Sequence, residues 1–256
     1  MKKHALTITA NLALLTGSFL LVSTSQALPL LDVHLKANAW QTQYSGEIGQ
    51  NNNTVSFDDL GFDKESTSSF SITLRHPVPL IPNIKFQKTA LDTNTNGTIG
   101  AGQTFEFEGE TYTAATEVNT KLDLSHTDLT AFYSFLYFDV GLTARNFDTQ
   151  SSITDINGVI PSATAELDGW IPMLYAGVNA DLPFTGVYID ASLNTISYDG
   201  NGLQDLSAAV GYNFGDLLPL TAELGYRKMS LDLEDLDDVE GDFTIDGWFL
   251  SLGLAF

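Results

Sequence analysis

The chain has no cysteine, few basic residues and, after its first 27 residues, no long hydrophobic run. Without cysteine it can form no disulfide bond and carry out no thiol chemistry. It has 11 lysine and arginine residues against 32 aspartate and glutamate residues, so its formal net charge is −21, which opposes binding to nucleic acid. No segment after residue 27 reaches the roughly 18 consecutive apolar residues of a transmembrane helix. These absences exclude a disulfide-stapled scaffold and argue against a nucleic-acid-binding protein or a helical membrane protein.

The first 27 residues have the three parts of a secretory signal peptide. Lys2 and Lys3 precede an uncharged, mostly apolar stretch from Ala5 to Val22, and Ser25-Gln26-Ala27 places small residues where a signal peptidase reads the chain. A retained membrane anchor is the alternative, but the stretch contains several polar residues and the cleavage pattern follows it directly. We therefore expect residues 1–27 to be a cleaved signal peptide and residues 28–256 to form one exported β-barrel domain.

Most hydrophobic residues after this segment lie in short stretches with an apolar residue at every second position, although 43% of the chain is hydrophobic. A period of two predicts a strand with one apolar face and one polar or small face. The clearest stretches are 31–39, 138–145, 187–194, 205–214, 220–227 and 248–256. Weaker ones are 70–75, 84–91, 118–133 and 170–181. We expect ten strands, with eight as the alternative.

The alternation changes phase within one of the weaker stretches. Val118 and Leu122 occupy even positions, whereas Leu129 and Tyr133 occupy odd ones. A β-bulge at residues 126–128 would explain this slip within a single strand.

The connections between these stretches differ in length. The short ones are 76–83, 134–137, 182–186 and 215–219, and the long polar ones are 44–65, 92–117, 146–165 and 232–242. Asp199-Gly200-Asn201-Gly202 departs from this rule and predicts a tight hairpin. Short turns at one end and long loops at the other are typical of an all-β, transmembrane, antiparallel up-and-down barrel.

Charged residues lie on the strand face opposite to the apolar one. They are Arg75, Lys85, Asp139, Arg145, Asp190, Asp205, Glu223 and Arg227. The dry core of a soluble β-sandwich or lipocalin-like barrel would leave several of these charges unpaired, whereas a polar lumen can hold them. We expect salt bridges between strands that nearly plug the lumen. The alternative is a narrow channel or binding site for small solutes.

The last stretch resembles the C-terminal assembly signal of bacterial outer-membrane proteins. Its apolar positions are Trp248, Leu250, Leu252, Leu254 and the terminal Phe256. The resemblance implies the barrel-assembly machinery as a partner during biogenesis, and lipid and lipopolysaccharide of the Gram-negative outer membrane as surroundings.

Five further segments, in this order, resemble a proteobacterial family of small outer-membrane barrel proteins that carries no assigned activity. They are HPVPLIPN at 76–83, Thr127-Asp128-Leu129 leading into Phe132-Tyr133, GLTAR at 141–145, LPFTG at 182–186 and ELGYRKM at 223–229. This resemblance implies a barrel fold and an outer-membrane location, and it supplies no catalytic residues.

Two polar segments are candidate cation sites. Asp92, Asn94 and Asn96 precede a glycine as in a calcium loop, but Gln103 replaces the bidentate Glu of that motif, so a surface loop is the alternative. Residues 232–242 contain seven acidic residues. They could form a divalent-cation patch that bridges to lipopolysaccharide phosphates, or simply a solvated loop. Apart from this calcium possibility we expect no cofactor.

Ser125, His126 and Asp128 are the nearest approach to a hydrolase site. Neighbouring residues of a strand point to opposite faces, so Ser125 and His126 cannot meet without a bulge. We therefore expect no enzymatic activity, with an outer-membrane hydrolase as the less favoured alternative.

Deleting Phe256, or replacing it by Ala, should lower the yield of assembled barrel, because the assembly signal would lose its terminal residue. Export and removal of residues 1–27 should continue. The measurement is the amount of folded protein in the outer-membrane fraction, with Ala255→Ser on the opposite face of the strand as the control. Unchanged assembly of the Phe256 variants would contradict the assignment of the signal.

Overall fold

A computed structural model describes residues 31–256 except 52, 114, 216, 217, 237 and 238. The predicted signal peptide lies outside the described residues. None of the described residues belongs to a helix that is long and apolar enough to cross a membrane. The strands are β1 (Asp32–Gln50), β2 (Asn53–Ser56), β3 (Glu65–Arg75), β4 (Asn83–Ala90), β5 (Asp92–Thr98), β6 (Thr104–Phe107), β7 (Glu110–Thr113), β8 (Glu117–Asp123), β9 (His126–Phe135), β10 (Phe138–Asp155), β11 (Ala163–Asp181), β12 (Val187–Tyr198), β13 (Asn201–Asn213), β14 (Leu220–Leu236) and β15 (Val239–Ala255).

Ten of these strands close into an antiparallel barrel. In order around the ring they are β1, β3, β4, β9, β10, β11, β12, β13, β14 and β15, and β15 pairs back to β1. The ten-strand prediction is confirmed, and the eight-strand alternative is wrong. The other five strands, β2 and β5 to β8, are insertions at the end of the barrel where the long connections lie.

The ends of the ring are joined by backbone hydrogen bonds. The Val33 N–H donates to the Phe256 carbonyl and the Phe256 N–H donates to the Val33 carbonyl, both at 3.0 Å. The register then runs from His34 opposite Ala255 to Gly49 opposite Glu240. The first and last strands are therefore paired from the short-turn end to the long-loop end.

Much of what the sequence analysis assigned to long loops is strand, which corrects that prediction. Strands β1, β10, β11, β14 and β15 have 17 to 19 residues, whereas roughly 9–11 suffice to cross a bilayer. These five strands therefore continue well beyond a membrane at the long-loop end. The connection after β10 is fixed by Asp155, whose carboxylate accepts the N–H groups of Asn157, Val159 and Ile160. These backbone donors hold the pKa of Asp155 below its usual value.

The tight hairpin between β12 and β13 is confirmed. Tyr198 pairs with Asn201, and the two turn residues Asp199 and Gly200 have φ values of 49° and 79°. Two successive positive φ values are typical of a type I′ turn.

The single bulged strand expected at residues 118–133 is wrong. The segment forms β8 and β9, which are separate because each has its own partners. Strand β8 pairs with β5 and with the far end of β10, whereas β9 pairs with β4 and with the first half of β10. The break at Leu124 and Ser125 resets the alternation, and no bulge is needed.

The outer face of the ring carries an exposed apolar belt. Val140, Leu142, Val210 and Leu252 are each more than half exposed. The exposed residues also include aromatic ones, as is typical of the girdles of outer-membrane barrels: Tyr133, Tyr212, Phe214, Tyr226, Trp248 and Phe256.

The height of the belt suits a membrane. From Trp248 to Phe256 it covers about 27 Å along the strand at roughly 3.4 Å per residue. At a tilt of roughly 35–45° this is about 20 Å, close to the apolar band of outer-membrane barrels of roughly 25 Å. The soluble alternatives fail, because their outer face would be polar.

The belt ends at a consistent level. On β4 the outward Phe86 is followed by Lys88, on β14 Tyr226 is followed by Lys228, and on β15 Trp248 is preceded by Asp246. Toward the long-loop end the outer face is therefore polar.

Inside the long-loop half lies a hydrophobic core that the sequence analysis did not predict. Its buried members are Trp40, Tyr44, Val55, Phe57, Leu60, Phe62, Leu91, Ile99, Phe105, Phe107, Tyr112, Val118, Leu124, Phe147, Ile153, Ala163, Met173, Leu203, Met229, Leu231, Phe243 and Ile245. Inward side chains of the long strands supply one part, and the segments inserted after β1 and β4 supply the rest. The Phe57 ring, for example, packs against Phe62 and Phe243 at centroid distances of 4.9 and 5.2 Å.

Candidate functional site

The barrel interior changes in character from one end to the other. At the short-turn end there is a polar cavity, at mid-height a layer of buried charges, and above this layer the hydrophobic core. The charged layer is formed by inward side chains of β9, β10, β13 and β14, which the alternation of each strand turns into the lumen.

Arg145 is the centre of the charged layer. It is fully buried, and its Nε and Nη2 donate to the two carboxylate oxygens of Asp128, both at 2.8 Å. Nη2 also donates to Asp205 Oδ2 at 2.7 Å. Asp128 is its direct partner on β9, whereas Asp205 comes from β13. One guanidinium therefore joins distant parts of the ring.

Asp205 is shared by a second arginine. Arg227 Nε donates to Asp205 Oδ1 at 2.8 Å and its Nη2 to Oδ2 at 2.7 Å. Paired parallel bonds of this kind are among the strongest in proteins. Arg227 therefore pairs with Asp205 on the neighbouring strand and not with Glu223 on its own strand.

The charged layer contacts the hydrophobic core directly. The Arg227 guanidinium carbon lies 4.8 Å from the centre of the Trp40 ring, and Arg145 Nη1 lies 3.8 Å from Met229 Sδ. Such stacking offsets part of the loss of hydration of a buried cation. The two arginines therefore lie at the boundary between the hydrophobic core and the polar part of the lumen.

His126 belongs to this layer and is buried. Its Nδ1 lies 2.8 Å from the Leu124 carbonyl oxygen, so it carries the proton and donates. Its Nε2 is then an acceptor and lies 3.4 Å from Arg227 Nη2. Ligand atoms of His126, Asp128 and Asp205 lie within 4.8 Å of one another, but the two carboxylates already accept hydrogen bonds from the arginines.

A second group of ion pairs lies nearer the short-turn end. Lys36 Nζ is 2.5 Å from Glu223 Oε1 and 3.5 Å from Asp190 Oδ2. Tyr188 Oη also donates to Glu223, at 2.7 Å. Glu223 thus pairs with residues of other strands.

Arg75 forms the other pair at this level. Its Nη1 and Nη2 donate to the carboxylate of Asp139 at 3.1 and 2.7 Å, and its guanidinium lies 4.9 Å from the centre of the Phe132 ring. Ser134 Oγ donates to the same carboxylate at 2.6 Å.

These ion pairs line two cavities of about 100 and 220 Å³, the second of which lies at the short-turn mouth. Both cavities are bordered by Lys36, Arg75, Asp139 and Asn179. Lys85 faces the first cavity, near Asp190 but without an ion pair within 4.0 Å among the described residues. All eight predicted lumen charges therefore lie inside the barrel.

The charges of the buried layer and of the ion pairs below it are balanced, and Asp32 and Asp181 also line the second cavity at the mouth. The cations are Lys36, Arg75, Lys85, Arg145 and Arg227, and the carboxylates are Asp128, Asp139, Asp190, Asp205 and Glu223. The sequence analysis missed Lys36 and Asp128. Lys36 could have been found, because it lies on the polar face of the first alternating stretch. Asp128 was hidden by the phase change before it.

The candidate hydrolase residues do not form a catalytic arrangement. Ser125 Oγ accepts the Leu91 N–H at 2.9 Å, whereas His126 bonds to the Leu124 carbonyl. The structure gives no hydrogen bond between this serine and this histidine, so the pairing of nucleophile and base that a hydrolase requires is missing.

The calcium loop expected at Asp92 is a strand, which corrects the predicted local geometry. Residues 92–98 form β5, and Asp92, Asn94 and Asn96 lie exposed on one face. The Asn119 side chain donates to the amide oxygens of Asn94 and Asn96 at 2.7 and 2.9 Å. Calcium binding by these three residues stays a prediction.

The acidic segment 232–242 lies at the top of the hairpin formed by β14 and β15. Asp232 is paired with Asp242, which on its other side is paired with Glu47 of β1. Like charges directly opposite one another destabilise a sheet. This carboxylate row is exposed at the long-loop end.

Neither a protein-family model nor a curated protein matches the chain. Among solved structures, it is similar to Ail, the attachment invasion locus protein of Yersinia pestis, with 10% identity and a TM-score of 0.36 over 89% of this chain and 99% of that one. The CymD monoaromatic hydrocarbon channel has 10% identity and a TM-score of 0.34 over 91% and 71%. The outer membrane protein AlkL has 15% identity and a TM-score of 0.31 over 91% and 94%. At these values the likeness carries no argument about function.

Replacing Arg145 by Met should lower the free energy of unfolding by about 3–5 kcal/mol, because Asp128 would lose the cation that is its only ion-pair partner among the described residues. The control is Lys228→Met, which removes the same charge from the exposed outer face of β14. Urea unfolding in lipid vesicles measures the free energy of unfolding of both variants. Equal stability of the two variants would mean that water reaches the layer, and would contradict its burial.

Proposed function

We propose that the protein is an outer-membrane β-barrel with a closed lumen, and that it has a structural or interaction role at the cell surface. The observation that carries this proposal is the order of layers inside the barrel: the polar cavity ends at the arginine layer, where Asp205 and Arg227 line it, and the hydrophobic core fills the interior beyond this layer.

The membrane location rests on the outer surface. The ring leaves no free strand edge at the height of the belt, which is what a bilayer requires of a spanning sheet. The belt itself would be an exposed apolar patch far larger than soluble proteins tolerate. A lipid environment accounts for both features.

The closed lumen rests on the energetic cost of crossing the core. An ion moving along the barrel axis would have to pass the layer that holds Arg145 and then side chains such as Phe57 and Met229, which are buried. Moving a charge into such surroundings without a partner is strongly unfavourable. Barrels of about eight strands are filled by their own side chains, and ten strands add little room.

The interaction role is assigned to the long-loop end, where the long strands extend into water and carry the carboxylate row of Glu47, Asp232 and Asp242. A partner for this surface would have basic groups, or phosphate groups of lipopolysaccharide bridged by divalent cations.

A binding site for a small solute is the second candidate. It is favoured by the cavity at the short-turn end, where Lys85 has no ion pair among the described residues. In this alternative a solute would enter from the side of the short turns.

The location predicts that the protein fractionates with the outer membrane. It should also migrate faster on a denaturing gel when it is not boiled, because a closed barrel stays compact in detergent. The control is the same sample after boiling. Recovery as a soluble periplasmic protein would contradict the membrane location.

Planar-bilayer conductance tests the closed lumen. The wild-type protein should give no steady current, and Arg227→Ala should lower the unfolding midpoint clearly with little gain in current, because it breaks a pair in a dry layer. Lys228→Ala, one residue away on the outer face, is the control for the loss of one positive charge. A stable Arg227→Ala variant with a current that has become more cation-selective would favour the channel instead.

A further inference from the structure

The tips of three short turns carry large apolar residues in an unfavourable backbone conformation. Leu80, Leu136 and Phe184 have φ values of 68°, 55° and 66°. They are also the most exposed apolar residues at this end, at 91%, 80% and 108% of full exposure. Glycine, asparagine and aspartate adopt such φ values more easily. A turn in water would therefore gain from a polar residue or a glycine at these positions.

The opposite end of the barrel follows the usual rule. The other non-glycine residues with positive φ among those described are Asn51, Glu108, Ala115 and Asp199, all at the long-loop end. Three of these four are polar, and none is a large apolar residue. The choice of Leu and Phe is therefore specific to the short-turn end.

The short turns also contain few backbone groups that need water. Five of the eight prolines of the chain lie in them: Pro77, Pro79, Pro82, Pro183 and Pro219. Proline has no backbone N–H, so each one removes a donor that lipid could not satisfy.

Several remaining polar groups of the turns are satisfied within the protein. Tyr133, on the outer face of β9, donates its hydroxyl to the Leu80 carbonyl at 3.0 Å. Thr185 Oγ1 donates to the Leu182 carbonyl at 2.8 Å and accepts the Val187 N–H at 3.1 Å. Backbone that enters a bilayer must be satisfied in this way, whereas backbone in water need not be.

The turns are continuous with the apolar belt. Phe135, Phe138 and Phe214 next to them are exposed on the outer face. The turns that carry the three tips, 76–82, 136–137 and 182–186, include no Asp, Glu, Lys or Arg, whereas the segment 214–219 contains Asp216. Nothing charged in these three turns would hold the tips away from an apolar phase.

We propose that the short turns are embedded in lipid, at the boundary between the acyl chains and the headgroups of the adjacent leaflet. The inference rests on the proposed membrane location and specifies how deep the barrel sits. Leu80, Leu136 and Phe184 are then anchors, and the stability they gain in lipid outweighs the unfavourable φ. The mouth of the polar cavity consequently opens at the level of the headgroups.

Single-cysteine spin labelling tests this depth directly, because the chain has no cysteine of its own. The variants Leu80→Cys and Phe184→Cys are labelled with a nitroxide and folded into phosphatidylethanolamine–phosphatidylglycerol vesicles. The control is Asp199→Cys, at the other end of β12 and also at a positive φ. Val140→Cys, in the belt, is the lipid reference.

The labels at positions 80 and 184 should collide with oxygen several-fold more often than with a water-soluble nickel chelate, and the label at position 199 should show the reverse. If positions 80 and 184 match position 199 while position 140 is shielded, the inference is wrong and the tips face water or await a protein partner. If position 140 is also open to the chelate, the membrane location itself fails.

Phe184→Asn gives a second, independent readout in the same vesicles. Asparagine fits the positive φ better than phenylalanine, so in water the change would leave the unfolding midpoint unchanged or raise it. In lipid it should lower the midpoint, because a polar side chain replaces an anchor. Asp199→Asn should have no effect and serves as the matched control. An unchanged or higher midpoint for Phe184→Asn would overturn the inference.

Discussion

A bilayer offers no hydrogen-bonding partner to a peptide group, so a sheet that crosses it must bond every edge to itself. Here the last edge is closed by the reciprocal bonds between Val33 and Phe256. Closure also determines the direction of the side chains, because in a closed ring every second residue of each strand must point into the lumen. The interior therefore has to accommodate whatever residues the sequence places at those positions.

The charges of the protein are divided by the barrel wall. Inside, five cations face five carboxylates, and Asp32 and Asp181 add two carboxylates at the short-turn mouth, although the chain has a formal net charge of −21. Most of the excess of negative charge consequently lies outside the lumen. Carboxylates in water are screened by ions, whereas a carboxylate such as Asp205 needs the two arginines that hold it.

The sequence predicted the parts of the fold that depend on local pattern. The ten strands and the inward position of Arg145 and Arg227 follow from alternation within single segments, and the hairpin at Asp199 follows from its turn residues. The hydrophobic core could not be predicted in this way, because residues such as Phe57 and Phe105 come from short inserted segments that look like loop. Their burial depends on contacts with strands far away in the sequence.

The arginine layer lies where the barrel reverses its polarity. Below it the outer face is apolar and the lumen polar, as on β14, where Leu224 points out and Glu223 points in. Above it the outer face is polar and the lumen apolar, as on the same strand, where Lys228 points out and Met229 points in. A strand can change in this way only where its surroundings change from lipid to water. Arg145 and Arg227 lie at this level because their guanidinium groups can contact the core on one side while pairing with carboxylates on the other.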